Sequence, residues 1–444
     1  MPDFLAKAAL MPQGWAEDVL IKVDEAGWIV DVRPEQSATS GTILDGPVLP
    51  GMPNLHSHAF QYAMAGLAEH SEDPANSFWN WRKTMYGFLD TLGPEELERI
   101  ATCLYTVMLK AGYTQVAEFH YLHHRPDGSP HEDPAHLSRC MIRAAKAAGI
   151  GITLLPVLYA HGGFGGQAPE SGQRRFINTP EQIVDMVTTL DRDYKADPQV
   201  RIGLALHSLR ATTPEMIAEV VKAVRSINPQ MPIHIHAAEQ IQEVEDCKAW
   251  SGQRPVEWLL ENNDVDPHWC LIHATHMTEE ETRALALSGA VAGLCPTTEA
   301  NLGDGLFNLP SYLRHGGRFG IGSDSHISVN MVEELRWLEY GQRLNRRQRL
   351  IARMGLEQHI GDFLYRAGLE GGAQALGTKT GKIAAGHRAD FIVLDKENPS
   401  IKGRSYDLVL DTMVFATNSN PVRDVYVGGR AVVKNFENLR DESA

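Results

Sequence analysis

The sequence predicts an α/β fold, a (β/α)8 TIM-like barrel with a small β-sandwich-like domain formed from both termini. Three observations predict it: short apolar runs alternate with amphipathic helical stretches from about Gly46 to Gly377, the runs number eight, and both flanks show a different, antiparallel pattern. Strands that alternate with helices form parallel β/α units. Eight such units suggest a closed barrel, whose active site lies at the C-terminal ends of the strands.

The eight strand-like runs are separated by segments with helical periodicity. In chain order the runs are PVLPGMPNLHSH, YTQVAEFHYL, GITLLPVLYA, VRIGLALHSL, MPIHIHAAE, HWCLIHATH, AVAGLCPTT and RFGIGSDS. The helical patterns include PEELERIATCLYTVMLKAG, DPAHLSRCMIRAAKAAG, TPEMIAEVVKAV and TEEETRALALSG. Several of them open with Thr, Asp or Pro and close with Gly, as helices commonly do. We therefore predict a barrel domain over residues 49–378.

The flanks of the chain are typical of antiparallel β-structure with turns. The segments are AEDVLIKVDEAGWIVDV near the start and GHRADFIVLD and VRDVYVGGRAVV near the end. We expect residues 1–48 and 379–444 to form one small β-domain together. Two further helices, MVEELRWLEYGQRL and IGDFLYRAGLEGGAQALG, are expected to link it to the barrel.

Composition limits the classes of function. The chain has 444 residues, 43% of them hydrophobic, which suffices for one large core and a smaller one. Its net charge is −15, and no run of Lys or Arg resembles a nucleic-acid site or a polybasic membrane patch. The N-terminus lacks a long apolar segment, and the five cysteines form no C-x-x-C pair. We expect a cytoplasmic protein with reduced, mostly buried cysteines and no nucleic-acid or membrane partner.

Histidines and acids stand at the predicted strand ends. His56 and His58 are two residues apart at the end of the first strand, so both imidazoles project to the same side. The ends of the fifth, sixth and eighth strands add His236, Glu239, His273 and Asp324. Zinc takes imidazole and carboxylate ligands, and a catalytic zinc site keeps a position for water. These residues can supply the three imidazoles and the carboxylate of such a site, and their place at matching strand ends predicts a metal-dependent hydrolase.

These motifs resemble those of the amidohydrolase superfamily, and the resemblance covers nearly the whole chain. LPGMPNLHSH is similar to its strand-one signature, HAAE to its H-x-x-E motif, HATH to its strand-six histidine and GSDS to its strand-eight aspartate. GKIAAGHRADFIVLD resembles the family's small β-domain. In binuclear members a lysine on strand four bridges two metals, whereas strand four here ends LHSLR without one.

The resemblance implies a single divalent metal ion, which we expect to be Zn²⁺, although iron and manganese accept the same ligands. It implies that the metal is held by His56, His58, His236 and Asp324. It also implies that Glu239, His273 and Asp324 are the catalytic residues around the attacking water. His234 and His276 lie in the same segments as His236 and His273, but family spacing favours the latter two.

Within the superfamily the chain resembles iminohydrolases that convert N-formimino-L-glutamate and water to N-formyl-L-glutamate and ammonia in histidine degradation. The segments that carry this resemblance are HSHAFQYAMAGLAE, FWNWRKTMYGFLD, EFHYLHH, HSLRA and CPTTEANLGDG. It implies a substrate pocket lined by Gln61, Arg82, Tyr121, His207 and Arg210. An acidic protein needs local cations to bind a small dianion, and the two arginines are candidates for bidentate contacts.

Two alternatives stay open. A ring deaminase acting on guanine, cytosine or a related heterocycle shares the metal motifs, although its pocket would favour aromatic stacking over two arginines. A catalytically inactive assembly protein on the same barrel is disfavoured by the retained ligands and Glu239. The family further implies a homodimer. The glycine-rich YAHGGFGGQAPESGQRRF is expected to be a closing lid, and NLGDG only a turn.

Overall fold

The computed structural model describes residues 3–36, 41–67, 69–70, 78–355 and 358–440. The strands are β1 (Asp3–Met11), β2 (Gly14–Val23), β3 (Ile29–Arg33), β4 (Thr42–Pro50), β5 (Met52–Ser57), β6 (Tyr113–His120), β7 (Gly151–Leu158), β8 (Val200–Ile202), β9 (Leu204–Ser208), β10 (Ile233–Ala237), β11 (Trp269–His273), β12 (Val291–Leu294), β13 (Arg318–Ile321), β14 (Phe391–Leu394), β15 (Val422–Val427), β16 (Arg430–Lys434) and β17 (Glu437–Asn438). The helices are α1 (Phe78–Leu89), α2 (Pro94–Lys110), α3 (His136–Ala148), α4 (Pro180–Tyr194), α5 (Pro214–Ile227), α6 (Ile241–Ser251), α7 (Pro255–Asn262), α8 (Glu279–Ser288), α9 (Pro296–Leu302), α10 (Leu309–Arg314), α11 (Met331–Arg346), α12 (Ile360–Leu376) and α13 (Tyr406–Phe415). Short 3₁₀ helices cover Ala59–Met64 and Ser171–Gln173.

Eight parallel strands form the barrel in the order β5, β6, β7, β9, β10, β11, β12 and β13. The first and last strands meet where Ser57 and Asp324 form a parallel bridge. There the backbone N–H of His58 donates to the carbonyl of Asp324 over 3.2 Å, and the N–H of Asp324 donates to the carbonyl of His56 over 3.0 Å. The predicted barrel is confirmed, and its closure brings the ends of strands one and eight together.

Several of the predicted strand runs are divided or shortened, and the fourth consists of β8 and β9. The first run contains the end of β4, which belongs to the small sheet, and all of β5, which belongs to the barrel. Gly51 joins them at a point where a Cβ atom would lie 2.2 Å from Thr114 Cγ2, so the crossing requires glycine. The seventh run is a strand only to Leu294, because Pro296 begins α9.

The helices of the barrel begin and end as their sequences predict. Thr213 caps α5 by accepting a hydrogen bond from the N–H of Met216. Thr278 and Glu281 form a capping box at the start of α8, which ends at Gly289 in the left-handed conformation. These local signals fix where α5 and α8 begin, and therefore where the strands that follow them enter the barrel.

Both termini form one eight-stranded sheet in the order β17-β16-β15-β14-β4-β1-β2-β3. β1 and β4 are parallel, and the other neighbours are antiparallel. Phe4, Phe391 and Tyr426 pack ring to ring in a separate hydrophobic core, with centroids 4.9–5.4 Å apart. A small β-domain from both ends of the chain is confirmed. The domain limits at residues 48/49 and 378/379 stay a prediction.

All five cysteines are free thiols, and four of them are buried, as expected. Within the described residues, none of the helices combines the length and apolar character that crossing a bilayer requires.

Candidate active site

Four side chains bring nitrogen and oxygen atoms together at the carboxyl end of the barrel. His56 Nε2 lies 3.1 Å from His236 Nε2 and 3.3 Å from Asp324 Oδ1, and His58 Nε2 lies 3.4 Å from the same oxygen. All four residues are buried. A tetrahedral ion with bonds of about 2.0–2.2 Å separates its ligand atoms by about 3.3–3.6 Å. The spacing of this set is therefore close to what a single ion requires.

Hydrogen bonds on the far side of two rings show which nitrogens face the cluster. His58 Nδ1 donates to the carbonyl of Phe119 over 3.0 Å, and His236 Nδ1 donates to the carbonyl of His207 over 2.9 Å. Because a carbonyl oxygen only accepts, Nδ1 carries the proton and Nε2 presents a lone pair. Burial lowers the pKa of both rings, which keeps them neutral. Converging lone pairs next to a carboxylate fit a divalent metal ion.

His273, at the end of β11, is surrounded by carboxylates. Its Nε2 lies 3.6 Å from Glu239 Oε1 and 3.8 Å from Asp324 Oδ2, and its Nδ1 lies 3.3 Å from Glu299 Oε1. Burial alone would lower the pKa of His273, but these three carboxylates raise it well above its ordinary value. Burial raises the pKa of Glu239 to about 7. A carboxyl group that titrates near neutrality beside an imidazole suits proton transfer.

Backbone strain is concentrated at the same strand ends. Ala238, His273, Ala274 and Asp324 have φ angles of 52°, 67°, 48° and 46°. Left-handed backbone at non-glycine residues costs free energy and persists where the surrounding structure enforces it, often at functional sites. Here the strained turns direct the carboxylate of Asp324 and the imidazole of His273 toward the same point.

A cavity opens beside this cluster. All five residues predicted to bind substrate line it: Gln61, Arg82, Tyr121, His207 and Arg210. Gln61 Nε2 donates to the hydroxyl of Tyr121 over 2.9 Å. Burial, followed by the guanidinium groups of Arg210 and Arg82, lowers the pKa of His207 well below its ordinary value. The imidazole is therefore neutral, with two cations nearby; the role of the five residues in binding stays a prediction.

Other residues of the cavity were not predicted. Trp81, Met85 and Tyr86 lie on α1, and Phe176 is the last residue of the glycine-rich segment after β7. The position of α1 above the cavity depends on contacts distant in sequence, so strand-end motifs could not indicate it. Glu299 was also missed, although an acid next to the end of β12 is the kind of signal that had identified Glu239.

The competing histidines have other partners. His234 Nε2 bonds to the carbonyl of Ala375 in α12 over 2.8 Å, and His276 Nε2 bonds to the carbonyl of Asp304 over 2.8 Å. Both carbonyls accept, so these rings donate to backbone. Neither ring is among the histidines that converge with Asp324.

The glycine-rich segment after β7 is attached to its surroundings at several points. The N–H groups of Ala160 and His161 donate to the carbonyl of Ala211 over 2.8 and 3.0 Å. Phe164 stacks on Trp250 with ring centroids 5.6 Å apart. The function of this segment as a lid stays a prediction.

The barrel with its strand-end histidines and acids defines a hydrolase class, and the chain belongs to the amidohydrolase family, whose model matches residues 48–432. Formimidoylglutamate deiminase of Pseudomonas aeruginosa is 52% identical over 442 residues, which cover 100% of this chain and 97% of that protein. A 5-methylthioadenosine/S-adenosylhomocysteine deaminase of Natronomonas pharaonis is 28% identical over 88% of this chain and 82% of its own length.

Solved structures agree with this assignment. The crystal structure of an amidohydrolase from Brucella melitensis matches with a TM-score of 0.93 and 46% identity, covering 100% of this chain and 97% of that one. An adenosine deaminase from Xanthomonas campestris with bound zinc matches with a TM-score of 0.81 and 20% identity, covering 99% and 94%. The second match shows the shared fold alone.

Proposed function

We propose that this protein hydrolyses N-formimino-L-glutamate to N-formyl-L-glutamate and ammonia. The observation that carries the proposal is the 52% identity, over the whole chain, to a protein named formimidoylglutamate deiminase. The charges around the cavity support it independently, because they match the charges of this substrate at both of its ends.

The glutamate part of the substrate carries two carboxylates, and its nitrogen carries the formimino group, which makes an amidine. Arg82 and Arg210 line the cavity, and each can bind a carboxylate through two parallel hydrogen bonds. Gln61, Tyr121 and His207 line the same cavity and supply neutral hydrogen-bonding groups. Because Arg210 is 92% buried, its charge is weakly screened, which strengthens its attraction for an anion.

We assign the metal site to His56, His58, His236 and Asp324, with Zn²⁺ as the expected ion. When bound, such an ion lowers the pKa of a water molecule toward neutrality. The end of β9, the fourth barrel strand, has no lysine that would bridge a second ion. One ion per chain is therefore expected.

Glu239 moves the proton in this mechanism. Its carboxylate accepts a proton from the attacking water and donates it to the terminal nitrogen of the amidinium, so that neutral ammonia leaves, and it then accepts the remaining hydroxyl proton as the formyl carbonyl forms. A C–O bond forms at the amidine carbon, and the C–N bond to the terminal nitrogen breaks. His273, held in its charged form by the surrounding carboxylates, donates a hydrogen bond to the oxygen that becomes the formyl carbonyl.

The remaining expectations concern partners and location. We expect a homodimer in the cytoplasm that binds a small dianion and neither nucleic acid nor a membrane. The net charge of −15 supports the expectation for nucleic acid, since an acidic surface repels phosphates.

Ammonia release from a panel of compounds tests the proposed activity. The panel is formiminoglutamate, formiminoaspartate, guanine and cytosine, with the metal content measured on the same sample. We expect formiminoglutamate to be the best substrate. If guanine or cytosine releases ammonia faster, the ring-deaminase alternative replaces the proposal; release from none of them, in metal-loaded protein, contradicts both.

A further inference from the structure

Asp304 is a buried acid that the proposed mechanism does not use. It follows α9, and its backbone is fixed on both sides, because its N–H donates to the carbonyl of Glu299 over 2.9 Å and its carbonyl accepts from His276 Nε2. The flanking Gly303 and Gly305 have φ angles of 69° and 132°, values that favour glycine. The turn therefore holds the Asp304 side chain at a defined place.

The carboxyl group of Asp304 faces the catalytic acid. Gln240 Nε2 donates to one of its oxygens, Oδ1. The other, Oδ2, is buried and has no hydrogen-bond partner among the described residues. One carboxyl oxygen of Asp304, one of Glu239 and one ring nitrogen of His273 all lie within 4.8 Å of one another. A buried acceptor without a donor is costly, so a bound ligand that donates a hydrogen bond to Oδ2 would be favoured.

The charges around Asp304 Oδ2 indicate what kind of group would bind there. Glu239, Glu299 and Asp324 also carry carboxylates near this point, so a further acceptor or anion would be repelled. Burial, and then the carboxylate of Glu239, raises the pKa of Asp304 to about 9, as expected for acids crowded together without a cation. A positively charged N–H donor would pair with the unpartnered oxygen and lower the pKa of Asp304, so that the group binds this donor as the carboxylate.

Geometry allows one nitrogen to contact both acids. Two oxygens no more than 4.8 Å apart can both accept from a single nitrogen at hydrogen-bond lengths of about 2.9 Å. The terminal nitrogen of an amidinium has two N–H groups and a share of the positive charge. Glu239 lines the cavity whereas Asp304 does not, so a nitrogen must pass the cavity wall at Glu239 to contact both acids.

We propose that Asp304 binds the amidinium nitrogen that leaves as ammonia, and so makes the site selective for amidines over their carbonyl analogues. The inference rests on the proposed function and adds a substrate contact to it. The product carries an oxygen where the substrate carries this nitrogen, and an oxygen has no N–H to donate. Asp304 therefore favours the substrate over the product. The arginines do not, because they bind carboxylates that the substrate and the product share.

The test compares the substrate with its carbonyl analogue in Asp304→Asn, which removes the charge with little change in size. We expect kcat/KM on formiminoglutamate to fall about 10- to 100-fold, the usual effect of losing a charge-assisted hydrogen bond. The inhibition constant of N-formyl-L-glutamate should stay within about twofold of the parent. Asp246→Asn, the same change at an exposed position of α6, should leave both quantities unchanged.

Several outcomes overturn the inference. An unchanged kcat/KM excludes the contact, and an equal loss for substrate and product shows a structural role instead. If Asp304→Asn fails to fold, Asp304→Ser is measured. Independently of any variant, the parent should bind a guanidino analogue of the substrate more tightly than its neutral carbamoyl counterpart, and equal affinities contradict the proposal. If the parent releases no ammonia from formiminoglutamate, the proposed function fails. If the parent does release ammonia and the Asp304 variant has the same kcat/KM as the parent, this inference alone fails.

Discussion

At the level of single residues, Glu299 acts together with Glu239 and Asp324 to hold His273 in its charged form. The N–H of Cys295 donates to Glu299 Oε1 over 2.9 Å, which fixes the carboxylate at the first turn of α9. From there the same oxygen contacts His273 Nδ1. Carboxylates that hold the outer nitrogen of a catalytic imidazole fix its orientation and its proton. Nε2 of His273 is thereby left to act on the reacting group.

Replacement of Glu239 by glutamine separates proton transfer from metal binding. Glu239→Gln is nearly isosteric. Because Glu239 is not one of the proposed metal ligands, we expect the metal content to stay at the parent value. Turnover should fall at least roughly 100-fold, as for loss of a proton shuttle. Metal analysis and kcat on the same preparation measure both effects. Glu245→Gln, at an exposed site on α6, is the control and should match the parent.

A turnover of Glu239→Gln within a few-fold of the parent would contradict this assignment. His273 would then be the group that carries the proton.

The arginines should act through their charge. Arg82→Met and Arg210→Met should each lose about 1.5–3 kcal/mol of transition-state binding, or roughly 10- to 150-fold in kcat/KM on formiminoglutamate. The loss belongs in kcat/KM because binding remote from the amidine positions it for attack. Arg192→Met, at a side chain that is 72% exposed on α4, should have no effect.

A substrate that lacks one carboxylate extends the arginine test. The parent should lose a similar factor on it, whereas the variant that has already lost the partner of that carboxylate should lose much less. This non-additivity assigns each arginine to a carboxylate. If both variants process formiminoglutamate as well as the parent, neither arginine binds it.

Sequence motifs predicted the residues at strand ends better than those on helices and turns. His56 and His58 could be placed because a β-strand has a period of two and the run before them is apolar. Asp304 could not be placed, because its direction depends on the left-handed backbone of two glycines and on a contact with His276. NLGDG, expected to be only a turn, begins inside α9, and its residues after Leu302 bring an acid next to Glu239.

At the level of elements, α12 approaches the barrel unusually closely. A Cβ atom on Gly371 would lie 1.9 Å from the carbonyl oxygen of Phe319 in β13, and one on Gly372 would lie 3.0 Å from Pro53. Glycines thus let the helix backbone rest on the first and last barrel strands. The helical pattern predicted α12, but not this contact, because sequence periodicity does not measure the distance between elements.

Gly371→Ala should therefore lower the free energy of unfolding. The backbone of either α12 or β13 must move to admit the methyl group, and overpacking of this kind typically costs about 1–3 kcal/mol. Chemical denaturation of the variant measures the loss. Gly87→Ala is the matched control, because Gly87 is also helical and its added Cβ would have no neighbour within 4 Å.

The control should be neutral or stabilise the protein by up to about 1 kcal/mol, since alanine is favoured over glycine in helices. Equal stability of the two variants would show that the α12 contact relaxes without cost.

For the whole molecule, the proposed metal site coincides with the closure of the barrel. His56 and His58 come from the first strand, Asp324 follows the last, and His236 ends the fifth. An ion held by these residues would join strands that are far apart in sequence. Binding to the folded state alone stabilises it by mass action, by about 4 kcal/mol when the free ion exceeds its Kd 1,000-fold.

Metal removal should therefore affect folding as well as activity. We expect one divalent ion per chain, and we expect chelation to abolish ammonia release and to lower the melting temperature by several degrees.

His58→Ala should bind less metal, and chelation should then change its melting temperature much less, because the variant lacks a ligand from the first strand. His70→Ala, which removes an exposed imidazole, should keep the parent's metal content and response to chelation. Two ions per chain at full occupancy would refute the single-ion site. A melting temperature that does not change on chelation, in protein that has lost both its ion and its activity, would show instead that the hydrogen bonds between Asp324 and the first strand are sufficient to close the barrel.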